Sequence, residues 1–123
     1  MNPLYLILSG VLGGLGVAFG AFGAHALRDR LSEDKQVTFE TGVRYQMYHA
    51  LALFLVALAT GAAPGSIWIQ LAGWLFVAGI LLFSGSLYLL VSTGKRWFGV
   101  VTPFGGLAFI AGWACLVVFA LST

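Results

Sequence analysis

The stretch RDRLSEDKQVTFETGVR, residues 28–44, decides the fold of this chain. With the pair Lys95 and Arg96 it holds all ten charged side chains of the 123 residues: Arg28, Asp29, Arg30, Glu33, Asp34, Lys35, Glu40 and Arg44 here, two more there. Everything else is apolar, small or weakly polar. A charge at the middle of a bilayer costs roughly 2.5–3.5 kcal/mol on the insertion scale, so a hydrocarbon core selects long charge-free apolar segments. The charge map is therefore close to a topology map.

Outward from the charged stretch, four segments reach the length of about 20 mostly apolar residues that a spanning helix needs. They are Leu4–Leu27, Tyr45–Ala63, Ile67–Thr93 and Thr102–Leu121. The expectation is an all-α polytopic membrane protein, one domain over 1–123, with four transmembrane helices in an antiparallel bundle. Asn2-Pro3 and Thr102-Pro103 each read as a capping side chain before a proline at the first helical position. Gly61 and Pro64-Gly65 close the second span and turn tightly into the third. Ser32 followed by Glu33 and Asp34 reads as a further helix start, with acids at the positive end of the dipole. It predicts a short helical cytoplasmic segment leading into Tyr45, with or without a break.

Orientation follows from counting Lys and Arg. The connection after the first span holds four and the connection after the third holds two. The Gly61–Ser66 turn and the C-terminal Ser122-Thr123 hold none. The positive-inside rule then puts both charged connections in the cytoplasm and both termini outside. Trp68 and Trp97 fall near opposite interfaces. A signal peptide ending at Ala24-His25-Ala26 is the competing reading of the first span. It lacks a basic n-region, and the apolar stretch exceeds an h-region of about 7–15 residues. A domain of this size leaves no room for a soluble catalytic module. The net charge of +2 implies no nucleic-acid surface. The single Cys115 cannot form an intrachain disulfide.

At 100° per residue the first span carries two stripes of small residues. Gly10, Gly14, Ala18, Ala21 and His25 share one; Gly13, Gly16, Gly20, Gly23 and Ala24 share the other. Leu8, Leu12, Leu15, Phe19 and Phe22 form a bulky third face. Small residues let helix backbones approach closely in lipid. Two stripes predict that this helix is a packing hub with its Leu/Phe face toward lipid, and one stripe could serve self-association. The glycines lack the spacing of a phosphate loop and sit inside a span. The third span has a weak polar face of Gln70, Gly73, Ser84, Tyr88 and Ser92, suited to hydrogen bonds with neighbouring helices or to a solute path.

The second span begins with Arg44, Tyr45, Gln46, Met47, Tyr48 and His49. His25 lies three residues before the charged run, so both histidines are expected at one depth near the inner interface. His25, Tyr45, Gln46, His49 and Tyr88 form the candidate polar or ligand site, with Ser92 as a further member. Neutral imidazole is a common metal and haem ligand. Two ligands without a Cys, Asp or Glu in the span do not complete a four-coordinate site, so no metal or cofactor is assigned.

Two linked blocks carry a family resemblance. The first is GAFGAHAL over 20–27, then Phe39 and VRYQMYHALAL over 43–53. The second is LFSGSLYLL over 82–90, Gly94, Gly99, TPFGG over 102–106, and Gly112-Trp113. They resemble the small bacterial membrane proteins called domain of unknown function 423, whose eukaryotic relatives are called transmembrane protein 256. The resemblance covers nearly the whole chain. It implies a small polytopic inner-membrane protein and no particular activity. The polar members of the blocks are His25, Tyr45, Gln46, His49, Ser84, Ser86, Tyr88 and Thr102.

Three functions stand against each other. The first is a non-enzymatic protein that binds copies of itself or a larger membrane complex. Small size, glycine-rich faces and the lack of a nucleophile–base or carboxylate pair support it. The second is a small oligomeric transporter or channel, drawing on the histidines and the hydroxyls of the third span. The third is a haem, metal or quinone site built from His25, His49 and nearby tyrosines.

Overall fold

The computed structural model describes residues 2–123, with every side chain except that of Ala24, so the stripe position assigned to Ala24 lies outside the described residues. Four helices account for the chain: α1 Pro3–Leu27, α2 Glu33–Ala62, α3 Ile67–Thr93 and α4 Trp97–Leu121. Each is long and apolar enough to cross a membrane, and no strand occurs among the described residues. Two of them are locally wound as π-helix, α1 at Phe19–Gly23 and α3 at Ile80–Ser84.

The ends of the helices follow local chemistry. The Asn2 side chain accepts from the Leu4 N–H at 2.9 Å, ahead of Pro3 at the first position. Ser32 Oγ accepts from the Lys35 N–H at 3.3 Å, with Glu33 and Asp34 in the first turn. The helix that starts there runs through Tyr45 without a break. Charged residues are kept out of hydrocarbon but not out of a helix, and Lys, Glu and Gln are good helix formers. Gln36 closes the preceding turn, its Nε2 donating to the carbonyls of Arg28 at 2.7 Å and Leu31 at 3.0 Å. Gly65 supplies a φ of 86° between α2 and α3, and Gly94 a φ of 71° after α3.

The start of α4 departs from expectation. The helix begins at Trp97, and Pro103 lies inside it. Thr102 is not its cap. The Thr102 hydroxyl bonds the Phe98 carbonyl at 3.3 Å and Ser86 Oγ at 2.6 Å. Proline inside a membrane helix is tolerated where hydroxyls and neighbouring helices take up the freed backbone groups.

The packing also departs from expectation, because α1 is not the hub. Helices α2 and α3 form the centre, α1 flanks α2, and α4 flanks α3. Of the apolar window in each helix, 39% is buried in α2 and in α3, against 11% in α1 and 17% in α4. The reason lies in the two stripes, of which α1 turns one toward α2. A Cβ built on Gly16 would fall 2.5 Å from Met47 Sδ, one on Gly20 3.1 Å from Val43 and one on Gly23 3.0 Å from Phe39. A Cβ on Gly10 or Gly14 would meet nothing within 4 Å among the described residues. The bulky face is split as well. Leu8 and Leu12 pack against the core, while Leu15, Phe19 and Phe22 are exposed.

The core joins Tyr5 to Leu53, Val56, Ile69, Phe76, Ile80 and Phe109. Between α3 and α4 the contact is reciprocal. Gly79 lies under the Phe109 ring and Gly112 under the Phe76 ring, while a Cβ on Gly105 would overlap the backbone of Phe83. Dispersion contacts of this closeness substitute for a hydrophobic driving force that is absent between helices in lipid.

Candidate functional site

The polar side chains of the spans are spent largely on links between helices. Gln46 Nε2 donates to the Leu12 carbonyl of α1 at 2.8 Å. A carbonyl only accepts, so the amide oxygen faces the other way, where it accepts from the Tyr88 hydroxyl of α3 at 2.6 Å. One side chain thus ties three helices. Ser84, in the π-helical turn of α3, donates to the Gly42 carbonyl at 2.6 Å. Ser9 donates to the Ala50 carbonyl at 2.8 Å, and Ser86 pairs with Thr102 between α3 and α4. Among the described residues no buried side-chain polar atom lacks a partner. Of the polar face expected on α3, Ser84 and Tyr88 reach α2, whereas Ser92 bonds the carbonyl of Tyr88 within its own helix.

His49 is only 4% exposed, and both its ring nitrogens are engaged. Trp113 Nε1 lies 3.0 Å from His49 Nε2, and His49 Nδ1 lies 2.7 Å from the Tyr45 carbonyl oxygen. An indole N–H can only donate, so Nε2 is the acceptor. Nδ1 therefore carries the proton and donates to the carbonyl. The imidazole is the neutral Nδ1–H tautomer, stacked on Phe109 at 3.6 Å between centroids with 9° between planes.

The structure does not bring the two histidines together. Gly13 of α1 faces Ala50, and Gly20 faces Val43. His49 is thus level with Gly14, and His25 lies eleven residues further along α1, about 16 Å away along the axis. His25 is exposed, with Nδ1 3.3 Å from an Arg28 guanidinium nitrogen. His49 instead faces α4. The expectation of equal depth rested on Tyr45 as the point where the second span enters the membrane. Helix α2 starts at Glu33, and His49 is the seventeenth of its 30 residues. Against α3, Gly42 pairs with Ser84 and Val56 approaches Gly73. Midway between these contacts, His49 is level with Ala78–Gly79, about 17 Å from one end of α3 and about 22 Å from the other. A metal or haem held by both histidines is incompatible with this separation.

Around His49 a groove of about 600 Å³ opens sideways between α2 and α4. Tyr45, Tyr48, Phe83, Phe109 and Trp113 give it aromatic walls, and Gly106 and Ile110 complete the lining. Tyr45 packs on Phe83 at 4.7 Å and on Tyr48 at 5.8 Å between centroids. Sequence reasoning placed Tyr45 and His49 in the candidate site but missed Phe83, Phe109 and Trp113. The available signal was Trp113 itself, an N–H donor in the middle of a span, which requires an acceptor there.

Comparison with known proteins identifies the kind of chain this is. A family model described as "Protein of unknown function (DUF423)" matches residues 19–106. A "UPF0382 membrane protein YwdK" of Bacillus subtilis (strain 168) is 45% identical over 118 residues, which is 96% of each chain. The chain belongs to the DUF423 family. A second relative, the "UPF0382 membrane protein SH2409" of Staphylococcus haemolyticus, is 44% identical over 115 residues, 94% of this chain and 93% of its own. No solved structure matches. The relatives' names give a membrane location and no activity, so this DUF423 chain is a membrane protein with four spanning helices. The DUF423 match contains Gln46, His49, Ser84 and Tyr88. The partners Leu12 on α1 and Phe109 and Trp113 on α4 lie outside the matched residues.

Proposed function

We propose that this protein acts by association inside the bacterial inner membrane, with both termini outside, and not by catalysing a reaction. The orientation rests on six Lys and Arg at one end of the bundle and none at the other. The observation that carries the function is the unused stripe of α1. Gly10 and Gly14 are exposed on the least buried helix, and a Cβ on either would meet nothing among the described residues. The opposite stripe shows what such glycines do in this chain, since Gly16, Gly20 and Gly23 admit α2 at close range. A second copy of α1 presents the same surface, and small residues are the usual means of close helix approach in lipid. The inward polar groups fit this role, since Gln46, His49, Ser84 and Tyr88 are committed to internal bonds and offer no chain of free groups for solute transport.

Cysteine crosslinking tests the reading. In a Cys115→Ala chain, a cysteine at Gly10 or Gly14 forms a disulfide with a second copy in native membranes. A cysteine at Val11 or Leu15, exposed on the neighbouring face, does so weakly or not at all. Equal crosslinking at all four positions, or none, contradicts a glycine-centred contact.

A further inference from the structure

The groove beside His49 has chemistry that helix packing does not use. It lies at the middle of the membrane, opens sideways to lipid and is walled by aromatic rings. Its volume of about 600 Å³ is that of a small-molecule site. The Trp113 N–H and both nitrogens of His49 are taken by each other and by the Tyr45 carbonyl. Two donors remain, the hydroxyls of Tyr45 and Tyr48, and neither has a hydrogen-bond partner among the described residues. Both side chains are partly exposed, at 38% and 52%. A hydroxyl facing hydrocarbon without an acceptor is costly. Tyr48 lies on α2 next to His49 and so shares its depth, one helical turn from Arg44.

We infer that this groove binds the ring of a lipophilic quinone, with the Tyr45 and Tyr48 hydroxyls donating to its carbonyl oxygens. The match is chemical. A quinone ring is flat, neutral and apolar enough to reach mid-membrane, and it offers acceptors and no donors. Its faces stack on Phe83, Tyr45 and Trp113, and a prenyl or alkyl tail leaves through the lateral opening. A phospholipid acyl chain would leave both hydroxyls unsatisfied and gain nothing special from aromatic walls. A phospholipid headgroup would bring charge for which the uncharged, mostly aromatic lining has no counterpart. Gly106 keeps the floor open, since a Cβ there would meet only Phe83, at 4.0 Å. The site stands independently of self-association, because α1 takes no part in it.

The test uses the full-length protein in lipid nanodiscs and decyl-ubiquinone as the probe. Trp113 is the only tryptophan lining the groove, so a Trp68→Phe, Trp74→Phe, Trp97→Phe chain reports on it alone. Quinones quench indole fluorescence, and the expected result is quenching that saturates with added quinone. Tyr48→Phe and Tyr45→Phe each weaken the apparent Kd by about five- to tenfold. Gly106→Leu removes the saturable phase. Native mass spectrometry of the wild-type chain, against Ile110→Trp, repeats the test without the three substitutions. Ile110 is an exposed lining residue, so this change fills the groove without touching the core. The wild type retains quinone and the variant does not. Quenching that stays linear as in protein-free lipid, or is unchanged by both groove-filling variants, overturns the site. Saturable binding that survives both Tyr→Phe changes undiminished overturns the quinone assignment in favour of an apolar chain.

Discussion

The Trp113 indole N–H donates to His49 Nε2 at 3.0 Å, joining α4 to α2 over the flank of α3 near the middle of the membrane. This bond fixes the imidazole tautomer and leaves no lone pair free on the ring. Trp113→Phe removes the donor and strands Nε2 in an apolar setting. We expect a loss of about 0.5–2 kcal/mol, the range of interhelical hydrogen bonds in membranes. His49→Phe costs a similar amount. If the bond is the shared cause, the double variant is less destabilised than the sum of the two. Reversible unfolding in mixed micelles measures this, and strict additivity would show that the pair is not coupled.

Gln46 carries the next expectation. Tyr88→Phe removes the donor to its amide oxygen, and Gln46→Leu removes both of its interhelical bonds. The second change is the more damaging, and adding Tyr88→Phe to it costs little more. A full additional loss in the double variant would mean that the Tyr88 hydroxyl has another acceptor.

Gly105 and Gly106 are adjacent but respond in opposite ways. A Cβ on Gly105 would overlap the Phe83 backbone, which cannot rotate away. Gly105→Ala therefore separates α3 from α4 and costs more than about 2 kcal/mol, in the upper range for overpacking. Gly106→Ala meets only ordinary contact and is tolerated within about 0.5 kcal/mol. Thermal denaturation in detergent distinguishes the two, and equal sensitivity would contradict the close approach.

The architecture was legible in the sequence because hydrocarbon excludes charge, and four charge-free stretches leave few alternatives. Ser32 and Asn2 were legible as caps for the same local reason that they cap here. Depth was not legible. Hydropathy put the second span's entry into lipid at Tyr45, so His49 was read as interfacial. Pro103 misled similarly, since a Thr-Pro pair reads as a cap when its Ser86 partner on another helix is unseen. Gln46 and Tyr88 were chosen as polar residues at related depth, and the structure joins them. His25 was chosen on the same grounds and stands apart, because it remains near the charged end.

Orientation yields a direct expectation. In a Cys115→Ala chain, Thr123→Cys reacts with a membrane-impermeant maleimide on intact spheroplasts, and Lys95→Cys reacts only after permeabilisation. The reverse pattern would place the six basic residues outside and overturn the assigned topology.

The two faces of α1 give the most direct test of the central claim, that the unused glycine stripe joins copies of the chain. The measurement is single-molecule photobleaching of labelled protein in lipid vesicles, diluted over several orders of magnitude in protein-to-lipid ratio. We predict a concentration-dependent rise in two-step bleaching for the wild type. Gly10→Leu and Gly14→Leu shift that rise to at least tenfold higher protein density, with thermal stability within about 0.5 kcal/mol of the wild type. Gly16→Leu lowers stability instead, because its Cβ meets Met47 within the same chain. A wild type that bleaches in one step at every density, or association unchanged by leucine at Gly10 and Gly14, would contradict the account.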